Sequence, residues 1–540
     1  MEQVESRRLL TGYPMSFGGP GLDGATTVAA TPDGGVVVAG IFSRTADFQP
    51  GSARTTLTAS GDTDVFVARY TARGKLLWVH QVSGGYTNEN LDEFPKRDVP
   101  VNPRRLGDFT GRVSAQVFGQ GEFAHDVAVG SDGSVVLVGA FYGSVNFDPG
   151  RSNTTLVSTS AFGFASTDFP DAFVMKLDAD GTLVYAHPFG GPFFDAAMAV
   201  ALDADNNPVV SGHFDRFADF NPGAAVFQVA ARGRDDAFVM KLSTRGRLVW
   251  LTTAGGENGE RSQRESANDV AIDADGNIFV TGTLAGDAWF NPRPRGISSP
   301  GRDGWTDLYV ASYRSDGAFR WVQRVGTADE FAGGSAVAVA GDAVYVAGYY
   351  SGTIDADPGS GTTRLIATGQ SLGDTNSFFT DIAIWRFERT QGAFRWVSPL
   401  RGTGHELIDN LQATPNVVAL SGSFYGRADF DPTRDELIVN SVRGPGENAF
   451  DWDPNDSDRS DSYDGFVWQL SAGGKYLEVD TFGSDADDHA GGMALTGNNA
   501  GFFLAGRFIG SRVPLGVAGG RVSSAGMEDG LVTRLGLFVP

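Results

Sequence analysis

Apolar and polar residues alternate along this chain in short runs that end at glycine, aspartate or asparagine. A period of two places successive side chains on opposite faces, so such runs predict β-strands rather than helices. One run recurs in register seven times: an aspartate, then an apolar alternation that closes on Tyr, Leu or Phe. It spans residues 64–70, 171–177, 236–242, 307–313, 381–387, 464–470 and 529–535. A repeat at spacings of roughly 65 to 107 residues marks an array of like units, each a single supersecondary element.

Aligned on Asp64, Asp171, Asp236, Asp307, Asp381, Asp464 and Asp529, each unit reads as two hairpins. The first is clearest at Asp269-Val-Ala-Ile-Asp-Ala-Asp-Gly-Asn-Ile-Phe-Val-Thr-Gly282, where alternating apolar residues flank a turn suited to positive φ. The second starts at the repeated aspartate and turns at Gly74, Gly181, Gly246, Gly317, Gly392 or Gly474. It then enters a strand carrying Trp78, Tyr185, Trp250, Trp321, Trp396 or Tyr476. Four strands per unit, A to D, is the composition of a propeller blade. The predicted fold is therefore all-β: a seven-bladed β-propeller of four-stranded antiparallel blades. The blades fall at about residues 20–84, 121–191, 192–256, 265–326, 331–402, 406–484 and 487–540, after a tail at 1–12.

The seventh unit lacks a fourth strand. Tyr13-Pro-Met-Ser-Phe-Gly-Gly19 matches the end of a D strand such as His187-Pro-Phe-Gly-Gly191 and precedes the first A strand. This N-terminal strand is expected to pair with the last blade and close the ring, removing an edge that would otherwise template aggregation. Given to a neighbouring chain instead, the same strand would build a polymer by strand addition.

The D-strand aromatics fit packing between blades, where a large ring buries much apolar area. Gly74-Lys-Leu-Leu-Trp78 is also similar to a docking motif of quinone-dependent dehydrogenase propellers, yet one aromatic per unit on an outer strand is what packing requires. A segment close to Ala-Asp-Phe-Asp-Pro-Gly recurs between the hairpins, as Ala46-Asp-Phe-Gln-Pro-Gly51, Val145-Asn-Phe-Asp-Pro-Gly150 and Ala218-Asp-Phe-Asn-Pro-Gly223. The acid before Pro-Gly predicts a turn capped by its own side chain, and the Phe a plug beneath it.

These motifs together resemble the SBBP-type bacterial β-propeller repeat family over residues 14–540. That resemblance implies blade architecture and an exported or cell-surface setting, and is nearly silent about activity. Near the start, Glu5-Ser-Arg-Arg-Leu-Leu10 is similar to the LExRxLL segment of exported planctomycete proteins, with a plain N-terminal tail as the other reading. Met1 is followed by charged residues without an apolar core, so no secretory signal is recognisable.

Charge narrows the partners. A net charge of -23 repels phosphate backbones and anionic lipid, which argues against nucleic-acid or membrane-surface binding. No apolar run approaches the about 20 residues that cross a bilayer, so membrane insertion is not expected. With Cys 0, disulfides, thiolate catalysis and cysteine-bound zinc are excluded.

Long insertions interrupt the repeat at 86–120, 161–169, 256–266, 369–379 and 442–464, and loops on a rigid scaffold commonly carry function. The insertion Asp451-Trp-Asp-Pro-Asn-Asp-Ser-Asp-Arg-Ser-Asp-Ser-Tyr-Asp464 is the densest ligand candidate. Ca²⁺ takes about six to eight oxygens, and Asp451, Asp453, Asn455, Ser457, Asp458, Asp461 and Asp464 supply side-chain oxygens there. Counted from Asp453, the order imitates an EF-hand loop. Asp458, however, stands where that loop needs Gly, and Asp464 where it has Glu. The alternative is a solvated acidic loop.

The sevenfold aspartate predicts a scaffold role: a carboxylate before strand C accepts N–H groups of the preceding loop. The six histidines, His80, His125, His187, His213, His405 and His489, occupy non-equivalent positions and are expected mostly at the surface or in loops. No catalytic residue or organic cofactor is assigned. The expected function is a non-enzymatic, exported or cell-surface scaffold that binds protein or glycan at its loop face or self-assembles, with calcium as a stabilising ion. The rival is a carbohydrate-active enzyme, a glycoside hydrolase or lyase with carboxylates at the central opening.

Overall fold

In the computed structural model of the chain, the repeated alternation forms seven antiparallel blades around a central axis. The structure describes residues 15–49, 53–84, 122–159, 169–221, 223, 225–256, 265–290, 297–299, 306–327, 330–368, 380–404, 406–431, 436–442, 462–484, 486–497, 499–509, 511–515, 520–523 and 529–537. Blade 1 shows the plan: strand A Asp23–Ala30, B Val36–Phe42, C Asp64–Tyr70 and D Leu76–Gly84. The A strands are Asp23–Ala30, Glu122–Val129, Asp195–Leu202, Ser266–Ile272, Ala332–Ala340, Glu406–Ala413 and His489–Leu495. Each packs against the next, the seventh against the first, so they form the inner wall.

The ring closes as the sequence predicts. Met15–Phe17 pairs antiparallel with Asp529–Gly536, with Met15 opposite Val532 and Phe17 opposite Gly530. Strand D of the last blade thus comes from the other end of the chain. Phe17 is buried, stacked on Phe48 at 5.5 Å and edge-on to Phe66 at 5.0 Å, so the closing strand is also anchored in the first blade.

Strand B is apolar on both faces because both are covered. Val37, Ala39 and Ile41 face blade 2, where they join Phe123, Leu137 and Phe173 in one cluster. Val36 and Val38 face the last blade with Met15, Phe503 and Val532. A cluster of this kind fills each of the seven seams between blades. Burial on both sides explains why the runs read as nearly continuous Val, Ala and Phe rather than as apolar-polar stripes.

The Ala-Asp-Phe-Asp-Pro-Gly segment does more than turn. It begins a small hairpin that leaves its own blade and pairs with strand D of the preceding one: Val145 opposite Gly84, Phe290 opposite Ala254, Ala428 opposite Gly402. Its aspartate caps the hairpin as expected, Asp47 Oδ1 accepting N–H from Gln49 at 3.1 Å and Thr55 at 3.0 Å. Its Phe enters the seam below, Phe147 lying 5.7 Å from Phe141 and 5.0 Å from Phe173. The D-strand aromatics pack between blades too. Trp78 donates its indole N–H to Ala179 O of the next blade at 2.9 Å and lies against Gly181, whose φ of 78° leaves no place for a side chain.

Removing residues 1–19 should lower the melting temperature of the monomer markedly, and Phe17→Ala alone should cost about 3–5 kcal/mol by the usual penalty for emptying a buried aromatic site. Circular dichroism melts and light scattering check this; polymers that dissolve on deletion would instead mean that the strand is exchanged between chains.

Candidate functional site

All seven repeated aspartates are buried, and each sits where strand C meets a seam. The expected bonds to the preceding loop are present: Thr159 N donates to Asp171 Oδ2 at 2.9 Å, Thr368 N to Asp381 Oδ2 at 2.9 Å and Val442 N to Asp464 Oδ2 at 2.8 Å. What the sequence did not announce is a second carboxyl across the seam. Asp23, Glu122, Asp195, Glu265, Glu406 and Asp488 stand at or just before the start of strand A, all buried. Each belongs to the blade after the corresponding strand C aspartate.

A glycine at the end of strand D makes the space for both. Built onto Gly190, a Cβ would lie 2.8 Å from Asp171 Oδ1 and 3.0 Å from Asp195 Oδ2; on Gly18 it would lie 2.6 Å from Asp529 Oδ1 and 3.0 Å from Asp23 Oδ2. Gly84 and Gly402 meet the strand A acids Glu122 and Glu406, and Gly483 the strand C acid Asp464. These glycines end strand D because any side chain would displace a carboxyl.

Loss of water dominates the electrostatics, since burial penalises the charged form. It pushes Asp171 up to about 7, and raises Asp195 well above the usual carboxylate range, with the Asp171 charge adding to the effect. Glu122 and Glu406 are likewise raised well above normal by burial, then by Asp64 and Asp381 respectively. Asp464 and Asp488 are each pushed up to about 7 by burial.

The seam between blades 4 and 5 is built differently. Strand A of blade 5 begins with Ala332, and Asp307 pairs instead with Arg324 of its own blade, Nε to Oδ2 at 2.7 Å, both side chains under one-tenth exposed. Where the second acid is missing, a guanidinium takes its place. Arg324→Ala should therefore destabilise the fold by about 3–5 kcal/mol, since it strands a buried carboxylate; denaturant unfolding of the variant measures it.

The inner wall is tied by a β-bulge in every A strand. Thr26 Oγ1 donates to Ala124 O of the next blade at 3.0 Å and Asn268 Nδ2 to Gly334 O at 2.7 Å, while Asp126 Oδ2 accepts Val200 N at 3.0 Å and Asp269 Oδ2 accepts Val337 N at 2.8 Å. After the bulge the wall runs Val28-Ala29-Ala30, Val127-Ala128-Val129, Val200-Ala201-Leu202, Val270-Ala271-Ile272, Val337-Ala338-Val339, Leu411-Gln412-Ala413 and Met493-Ala494-Leu495, with no ionisable residue.

The histidines depart from expectation. His80, His125, His213 and His489 are buried, because their rings serve the seams: His125 Nδ1 meets Ala197 O at 2.8 Å and His80 Nε2 meets Phe147 O at 2.8 Å. His489 Nδ1 lies 3.2 Å from Ser423 Oγ, but Ser423 is fully buried, so that hydroxyl is closed to substrate. Of the calcium candidates, Asp464 lies within the described residues, buried and bonded to Val442 N; Asp451, Asp453, Asn455, Ser457, Asp458 and Asp461 lie outside them. Among the described residues no group of three or more Asp, Glu or His side chains is arranged to hold a metal ion, and no helix is long and apolar enough to cross a membrane.

No family model matches the chain. Among curated proteins it is similar to an uncharacterised WD repeat-containing protein of Acanthamoeba polyphaga mimivirus, 24% identical over 233 residues, or 37% of this chain. It is also similar to the regulatory protein FlaEY of Caulobacter vibrioides, 23% identical over 163 residues, or 29% of this chain. Each match spans 16% of the relative's own length. Among solved structures, the Dos1 propeller aligns over 96% of this chain and 95% of its own with TM-score 0.40 and 8% identity, and a europium-containing methanol dehydrogenase over 97% and 93% with TM-score 0.34 and 10% identity.

Proposed function

We propose that the chain is a non-enzymatic scaffold of an exported or cell-surface protein, a ring whose face loops bind a protein or glycan partner. One observation carries this reading: the strand C aspartates and the strand A acids at the seams are buried, and the strand A residues beyond the bulges carry no ionisable group. The seam acids are withdrawn from solvent, which leaves recognition to the insertions. The export-like segment at Glu5–Leu10 and the SBBP-type motifs support the setting.

A glycan array probed with the whole chain, with hydrolysis of the bound glycans followed in parallel, tests the proposal. Retention without cleavage supports it. Release of reducing ends, lost when a carboxyl is replaced, overturns it in favour of a glycoside hydrolase.

Calcium is assigned to the acidic insertion at 451–464 as a stabilising ion, on the oxygens of Asp453, Asn455, Ser457 and Asp461. EDTA should lower the melting temperature and added CaCl2 should restore it, with Asp453→Ala combined with Asp461→Ala removing both responses. A melt indifferent to EDTA and CaCl2 sinks the assignment.

A further inference from the structure

Two buried carboxyls that face each other cannot both remain charged without a counter-ion, and three seams show the conflict plainly. In the seam of blades 2 and 3, Asp171 Oδ2 accepts Thr159 N, and both oxygens of Asp195 accept N–H, from Gly191 at 2.7 Å and Asp215 at 3.1 Å. Asp171 Oδ1 has no partner, and it and Asp195 Oδ2 both lie within 3.0 Å of the point where a Gly190 Cβ would stand. In the seam of blades 5 and 6, Glu406 is 1% exposed and neither of its oxygens bonds another residue. Glu122 Oε1 and Asp64 Oδ1, in the first seam, are orphaned likewise.

We infer that these three seams are proton-binding sites, in which Asp64 with Glu122, Asp171 with Asp195, and Asp381 with Glu406 each share one proton. An O–H from one carboxyl to the other supplies the donor that the orphaned oxygen lacks, and leaves one negative charge for the surrounding N–H groups. A metal ion fits worse. Calcium needs about six to eight oxygens, whereas backbone N–H donors already occupy Asp64, Asp171, Asp195 and Asp381 and the strand D glycine leaves little room beyond the acids themselves. The seam of blades 4 and 5 is the internal control: with Ala332 at the position of the strand A acid, Asp307 is paired with Arg324.

The other charged and titratable neighbours do not remove the conflict. Asp64 faces Gln81, Ser60 and Ser83; Asp195 also faces Asp215, which Arg216 and Arg234 approach at 3.6 Å. Asp381 faces Thr368, Tyr350 and the exposed Arg401, and Glu406 lies near Tyr349.

The sign of the linkage follows from the direction of the shifts. A carboxyl whose folded pKa is raised binds its proton more tightly in the fold, so the stabilisation from Asp171 is complete below the ordinary value of 3.8 and is lost as pH rises through about 7. The protein should thus melt several degrees higher at pH 5 than at pH 8, the reverse of a fold held by ionised carboxylates.

The test is a series of melts of the whole chain between pH 5 and pH 8, with infrared spectra at neutral pH. Glu406→Gln and Asp171→Asn, which mimic the protonated acid, should flatten the pH dependence and raise the melting temperature at pH 8; the carbonyl band of a protonated carboxyl should be present in the wild type and weaker in the variants. A melting temperature that is level or rises with pH overturns the inference, as does a missing infrared band, which needs no variant to fold. Recovery of the wild type at pH 8 by CaCl2, abolished in Glu406→Gln, would overturn it in favour of a divalent cation.

Discussion

Everything in this molecule depends on each blade having both faces covered by its neighbours. Strand B carries no polar face: Val36 to Phe42 is buried throughout, half toward one seam and half toward the other. A single blade would expose two apolar surfaces to water, and only closure removes the last pair. Phe17, three residues into the described chain and packed against Phe48 and Phe66, is where that closure is made. The ring is therefore a cooperative object, in which the first and last elements of the sequence share one apolar cluster.

Polar groups then decide how neighbouring blades register. Apolar packing alone has little directionality, whereas a buried hydrogen bond left unmade costs about 1–3 kcal/mol and so penalises a wrong alignment. Three devices recur at different radii: bulge side chains such as Thr26 and Asn268 on the inner wall, the carboxyls and glycines at the strand ends, and on the outside the indole N–H of Trp78, Trp250, Trp321 and Trp396 reaching a turn of the next blade. The hairpin that crosses from one blade to the edge of the previous one adds main-chain pairing to the same seams. It also covers the outer edge of strand D, an edge that would otherwise be open to pairing with another chain.

Seam acids show how a repeat tolerates exceptions. The solution with two carboxyls and the solution with Asp307 and Arg324 occupy equivalent places, so the requirement is a neutralised, hydrogen-bonded carboxyl and not a particular residue. This economy bears on function. Groups that would attract attention as a ladder of carboxylates are withdrawn from solvent.

Local chemistry made much of this legible in the sequence. Alternation gave the strands, Asp-Gly and Asn turns gave the hairpins, and the aspartate at residues 64, 171, 236, 307, 381, 464 and 529 counted seven blades and exposed the last as one strand short. Each of these signals lies within a few residues of the structure that it specifies, so period and turn chemistry suffice. The pairing of Asp171 with Asp195, the burial of His80 and His125, and the crossing of the Ala-Asp-Phe hairpin to the preceding blade came only from the tertiary structure. Those contacts join residues of different blades, and no local period encodes which side chain will face which across a seam. The sequence by itself determined the unit and its number; the stacking of units decided which carboxyls would meet without water between them.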